Sequence, residues 1–165
     1  MRHDVPMRLR HELTYPAGVD DVVAMLLETA FWDRVAVATG ALSSTTTVTS
    51  DESGTLVVTD QLQEVVGVPS FAKKLVGDST QAIKRQLWTG ATSTFEVETP
   101  GKPTRITGSA AVTTRGTGSV LSYDLEVRAS VPLIGGKLER LVADLTIEGF
   151  DNERAAGLAW LKGGH

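Results

Sequence analysis

Apolar and polar residues alternate from Met7 to Tyr15, with Leu9, His11, Leu13 and Tyr15 on one side and Arg8, Arg10, Glu12 and Thr14 on the other. That period of two predicts a half-buried strand. Pro16 and Gly18 stop it, and Val19, Val22, Val23, Leu26 and Ala30 then recur at helical spacing behind Asp20 and Asp21, which suit the positive end of a helix dipole. Phe31 to Thr39, closed by Gly40, predicts a second short helix that brings Phe31 and Trp32 close to the first.

From Leu42 onward β-branched residues dominate. Thr45–Thr49 and Thr55–Val66 predict a hairpin around Asp51-Glu52-Ser53-Gly54. The pattern breaks between Gly67 and Gly77, where Ser70 to Leu75 reads as a short helix or loop with two apolar anchors, Phe71 and Leu75, and is a lid candidate. Thr80–Trp88, Ser93–Glu98, Thr104–Thr114 and Ser119–Ala129 predict four more strands, separated by turn-rich stretches at Thr89-Gly90, Pro100 to Pro103 and Arg115 to Gly118. A long helix follows Gly135-Gly136. Its expected inner stripe is Leu138, Leu141, Val142, Leu145, Gly149, Asn152, Ala156, Ala159 and Trp160, bulky up to Leu145 and mostly small beyond it, where space rather than packing is expected. The element order assigns the chain to the α+β class, a curved antiparallel sheet of about seven strands wrapped around the long C-terminal helix, with two short helices after strand one.

This order resembles the START-like superfamily, also called the polyketide cyclase and Bet v 1-like helix-grip proteins, over nearly the full chain. A sharper match is the run Ser130-Val131-Pro132-Leu133-Ile134-Gly135-Gly136-Lys137-Leu138-Glu139, followed by Glu153 and Trp160-Leu161. Together with Tyr15-Pro16-Ala17, Phe31-Trp32, Trp88 and Pro100-Gly101-Lys102-Pro103, it is similar to the family called domain of unknown function 2505. The resemblance implies a helix-grip fold with an internal cavity for an apolar ligand, and brings no reaction with it. Physically, the run reads as a joint: Pro132 fixes φ, and Gly135-Gly136 supplies the close approach or positive φ that swings the chain across the sheet.

Composition narrows the function. The 165 residues, 41% apolar and 22% charged, suit one START-like domain spanning 1–165. There is no cysteine, which removes disulfides, thiolate metal sites and a cysteine nucleophile and is compatible with a reducing compartment. Met1 to Pro6 lacks a signal-peptide core and no run approaches the ~18 apolar residues of a membrane span, so cytoplasmic residence is expected. A net charge of −4 argues against nucleic-acid binding, with Lys73-Lys74 and Lys84-Arg85 expected on solvated faces.

Catalytic motifs are sparse. Gly135-Gly136-Lys137 lacks the first glycine and the Ser/Thr of a phosphate loop, and His11-Glu12 has no second histidine for zinc. Gly77-Asp78-Ser79 finds only His165 downstream. No metal or cofactor is expected. His11, on the apolar side of its strand, is the one plausible histidine base. Asp60 and Glu64 face a cavity if Leu56, Val58, Leu62 and Val66 mark the buried side, and face away if Val57 and Val65 do. Trp32, Phe71, Leu75, Trp88, Phe95, Tyr123, Leu145, Gly149 and Asn152 are the expected ligand-facing residues, and core packing is the plainer role for several of the aromatics.

The leading expectation is non-catalytic binding or carriage of a small hydrophobic molecule, a lipid, isoprenoid or polyketide-like compound, by a monomer or weak homodimer. One alternative is a cyclase or dehydratase in which His11 or a cavity carboxylate moves protons while Tyr123 or Asn152 orients a carbonyl. Another is a protein-interaction module.

Overall fold

The computed structural model describes residues 5–163. His3 and His165 lie outside them. Among the described residues the order is β1 (Met7–Tyr15), α1 (Val19–Leu26), α2 (Thr29–Thr39), β2 (Ser43–Asp51), β3 (Gly54–Glu64), α3 (Ser70–Val76), β4 (Ser79–Thr89), β5 (Thr92–Glu98), β6 (Thr104–Arg115), β7 (Gly118–Ala129) and α4 (Gly135–Leu161). This is the expected α+β order. The seven strands form one antiparallel sheet in the order β1-β7-β6-β5-β4-β3-β2, so each strand from β2 to β7 lies beside its sequence neighbours while β1 crosses to pair with β7.

Alternation explains which sheet face is covered. On β7, Leu121, Tyr123, Leu125 and Val127 are buried, and on β1 Leu9, Leu13 and Tyr15 join them in the main core. Helix α4 lies against β1, β7 and α2, which closes one half of the concave face. On β6 the buried alternation Ile106, Ala110, Val112 is interrupted at Gly108, which pairs with Phe95 on β5 and Leu125 on β7. A Cβ at Gly108 would lie 2.2 Å from the Asp124 carbonyl oxygen and 2.8 Å from Leu125 Cα, so only glycine admits this approach of the two strands.

The joint between β7 and α4 works differently from the sequence expectation. Gly135 and Gly136 already belong to the first turn of α4. The positive φ falls on Leu133, at 70°, with its side chain 95% exposed. The joint is secured by Glu139, 1% exposed, whose Oε2 accepts a 2.8 Å hydrogen bond from the Ala129 amide at the end of β7. A buried carboxylate thus satisfies a backbone donor that the sheet no longer can.

The inner face of α4 is broader than the expected stripe. Its buried residues are Gly135, Leu138, Glu139, Ala143, Phe150, Glu153, Gly157 and Trp160, whereas Leu145 is 47% exposed and Ala159 is exposed. An apolar stripe drawn through bulky and small residues leaves out two glutamates, yet both are buried because each has a hydrogen-bond donor waiting for it. Gly157 marks the tightest approach, where a Cβ would meet the Tyr15 ring at 2.6 Å.

Candidate functional site

Beyond the half of the concave face filled by aromatic packing, a cavity of about 420 Å³ remains between the sheet, α2 and α4. Its apolar wall includes Trp32, Phe95, Val97, Ile106, Leu138, Leu141 and Phe150, and Thr59, Gln61, Thr99, Thr146 and Asn152 interleave with them. This volume lies within the ~300–1,000 Å³ of small-molecule sites, and a mostly apolar lining with a few polar groups is their usual chemistry.

Of the expected ligand-facing residues, Trp32, Phe95, Leu145, Gly149 and Asn152 border this cavity. Gly149 opens it directly, because a Cβ there would meet nothing within 4 Å. Asn152 is half-buried at the same wall. Four others lie elsewhere. Trp88 is buried in the main core, and Tyr123 sits behind the cavity wall with its ring stacked on Phe150 at 4.0 Å. Phe71 and Leu75 of the lid candidate pack with Ala72, Ala129 and Leu138 at the β7–α4 joint, while Val68 and Val76 from the same stretch reach the cavity.

The strand faces resolve the two carboxylates on β3. Val57 and Thr59 are buried and Gln61, Gln63 and Val65 border the cavity, so the odd-numbered side points inward. Asp60 points out and accepts a hydrogen bond from Gln81, and exposed Glu64 stands at the cavity rim.

His11 lies apart from the cavity. Its ring stacks on Phe150 at 6.0 Å and its Nε2 sits 3.1 Å from Asp151 Oδ1. Phe150 separates it from the open space, because β1 is an edge strand under α4 and its imidazole meets the helix before it reaches the interior. His11 is not among the residues that line the cavity.

Besides Glu64 and Glu148 at the rim, Lys84 and Glu153 border the cavity, and neither was in the expected site. Glu153 is 3% exposed, and its Oε2 accepts a 2.7 Å hydrogen bond from the Tyr123 hydroxyl. Burial raises its pKa above the ordinary carboxylate value, opposed first by the positive charge of Lys84 and then by the Tyr123 hydrogen bond. Burial, with the neighbouring Glu153 charge, also pushes the Tyr123 hydroxyl well up. Lys84 places its Nζ 3.4 Å from the centre of the Trp32 ring, a cation–π contact. Burial pulls its pKa down to about 8, opposed by Glu153.

Both have a signal in the sequence. Counting back by twos from Trp88 puts Gln86, Lys84 and Ala82 on one face of β4, and counting back from Trp160 by three, four and three gives Gly157, Glu153 and Phe150 on one face of α4. The solvated face expected for Lys84-Arg85 holds for only half of the pair. Strand alternation splits it: Lys84 turns in, and Arg85 pairs with Glu96 and Glu98.

Removing the Tyr123 hydroxyl isolates the role of this hydrogen bond. Tyr123→Phe is expected to destabilise the fold by about 1–3 kcal/mol, because the buried Glu153 carboxyl loses its donor. Chemical denaturation of the two proteins measures it.

Glu153 also sets a pH dependence. With its folded pKa raised above the unfolded value, the folded state keeps this proton to higher pH, so stability falls as pH rises from the unfolded pKa through the folded one. The groups that act on it are Lys84, Tyr123 and His11. Lys84 contributes with opposite sign in a separate window above about pH 8. Glu153→Gln keeps an acceptor for Tyr123 and removes the ionisable group. It is expected to flatten the fall of Tm as pH rises above the ordinary carboxylate range, read by calorimetry across pH; an unchanged slope would contradict the assignment.

The fold has wide company among solved structures. The TTHA0849 protein of Thermus thermophilus superposes with a TM-score of 0.64 at 15% identity, covering 91% of this chain and 93% of that one. A START superfamily protein of Mycobacterium smegmatis gives 0.62 at 10% identity, with 93% and 98% covered. The Zhui aromatase/cyclase from Streptomyces sp. R1128 gives 0.59 at 13% identity, with 94% and 93% covered. At these identities the likeness establishes the START-like helix-grip fold. No curated protein matches the chain in sequence. Residues 10–161 match the family model described as protein of unknown function (DUF2505), so nearly all of the chain is accounted for by one family, and it is to this family that the chain belongs.

Proposed function

We propose that the chain binds and carries a small lipophilic molecule in the space between the concave sheet face and α4, acting in the cytoplasm as a monomer or weak homodimer. The observation that carries this reading is the cavity of about 420 Å³, lined by Trp32, Phe95, Ile106, Leu138 and Leu141 and left open at Gly149. An unfilled apolar space forgoes dispersion contacts and is a stability cost that bound ligand recovers. The START-like fold, shared with proteins whose own names are those of cyclases, supports the same reading by analogy. The test is native mass spectrometry and solvent extraction of protein isolated from its own host, followed by a panel of fatty acids and isoprenoids. Co-purification or saturable binding at one equivalent supports carriage. An interior that takes up none of the panel and yields no extract overturns it.

A second reading, proton transfer on a carbonyl substrate, is favoured by one observation, the buried Glu153 carboxyl held by Tyr123 beside the same cavity. In that reading Glu153 takes the place that His11 was expected to hold.

A further inference from the structure

Lys84 is half-buried at the cavity wall and its ammonium makes no direct ion pair with the described residues. An ammonium has three N–H donors, yet among the described residues Lys84 Nζ has only the face of Trp32, with no hydrogen-bond or ion-pair acceptor. A cation–π contact recovers only part of the lost hydration. The group is therefore set for a partner inside the cavity it borders.

Charge distribution narrows what that partner is. Exposed Glu64 and Glu148 stand at the rim, and Glu153 lies within. A free carboxylate ligand would pass these two negative charges at the rim to reach the cation. A neutral oxygen acceptor, the carbonyl of an aldehyde or ketone, meets no such barrier and offers its lone pairs to Lys84, with its hydrocarbon body against Phe95, Ile106, Leu138 and Leu141.

We propose that Lys84 is a covalent capture site, forming a reversible imine with the carbonyl of an apolar aldehyde or ketone held in the cavity, with Glu153 as its proton carrier and counter-ion. The free amine adds its lone pair to the carbonyl carbon, and one of the two protons of the resulting ammonium passes to the carbonyl oxygen to give the neutral carbinolamine. The Glu153 carboxyl then protonates the hydroxyl, which leaves as water, and the nitrogen lone pair forms the C=N bond. The iminium so formed stands opposite the Glu153 carboxylate, and hydrolysis reverses each step without any change in oxidation state. Two features serve this chemistry. The lowered pKa of Lys84 leaves part of it unprotonated near neutral pH, and burial raises the pKa of Glu153 above the ordinary carboxylate value, which favours its acid form. Tyr123 fixes the carboxyl through Oε2, which leaves Oε1 for the transfer.

This inference rests on the carriage reading, and one experiment separates them. The whole protein is incubated near pH 7 with decanal and cyanoborohydride, which reduces an imine to a stable secondary amine, and labelled lysines are located by peptide mass analysis. Binding of decanol, which has the same chain and no carbonyl, is followed in parallel by tryptophan fluorescence. The expected result is labelling at Lys84 about tenfold or more faster than at the exposed Lys73, Lys74, Lys137 and Lys162. Decanol suppresses it, Lys84→Arg abolishes it, and Glu153→Gln slows it about tenfold. If decanol binds but labelling is even across the lysines, capture is overturned and carriage stands. If decanol does not bind and labelling is even, both fail. Fast Lys84 labelling that decanol leaves untouched also overturns capture within the cavity.

Discussion

Gly108→Ala is expected to destabilise the fold by about 3 kcal/mol or more, a large share of the ~5–15 kcal/mol that holds a typical domain together. The added methyl would press on the Asp124 carbonyl and Leu125 Cα, both main-chain atoms of the partner strand, so no rotamer change relieves it. Strands β6 and β7 must separate along a register that runs from Thr104–Ala129 to Arg115–Gly118. Denaturant titration should show the midpoint falling with an unchanged slope. Ser109→Ala, one residue along and exposed, is the control and should stay within about 0.5 kcal/mol. A Gly108 variant as stable as that control would mean the strand approach is not a requirement of the fold.

Gly149→Leu is expected to do the opposite to stability while removing function. Glycine inside a helix costs about 0.5–1 kcal/mol relative to alanine, and a Cβ at Gly149 clashes with nothing, so the variant should melt a few degrees higher. The same isobutyl group enters the cavity and takes the place of ligand atoms. Affinity for any ligand carried there should drop about hundredfold, equivalent to ~2.7 kcal/mol. Paired calorimetry and titration with whichever panel member binds decide it. Unaltered affinity in a stabilised Gly149→Leu would place the ligand elsewhere on the molecule.

Most strand and helix positions were legible in the sequence because they rest on local rules. Alternation in Met7–Tyr15 and Ser119–Ala129, and turn residues such as Asp51 to Gly54, act over a few residues and leave a plain pattern. The joint was legible as a joint but not in its mechanism: the left-handed residue is Leu133 rather than either glycine, and a buried Glu139 does the fastening. What was hidden has a common physical character. Lys84, Glu139 and Glu153 are charged residues whose inward orientation depends on a donor, an aromatic face or a cavity supplied by a distant element, and polarity alone argues for the surface. Trp88 and Tyr123 were hidden in the reverse sense. Both are large aromatics suited to a ligand, and the fold uses them as core.

The pairing of β1 with β7 has a consequence for how the chain is made. Arg8 and Asp124, joined by two 2.9 Å hydrogen bonds across that pair, are 116 residues apart. At ~5–20 residues per second of translation, the first strand emerges roughly 6–23 seconds before its partner. Throughout that interval Leu9, Leu13 and Tyr15 have neither β7 nor α4 to cover them, and loop closure over so long a span is slow. The arginines at positions 8 and 10, alternating with those apolar residues, are the kind of charged side chain that discourages pairing of an uncovered strand. Their replacement by threonine would leave the finished fold largely intact and show itself instead as a lower soluble yield during synthesis.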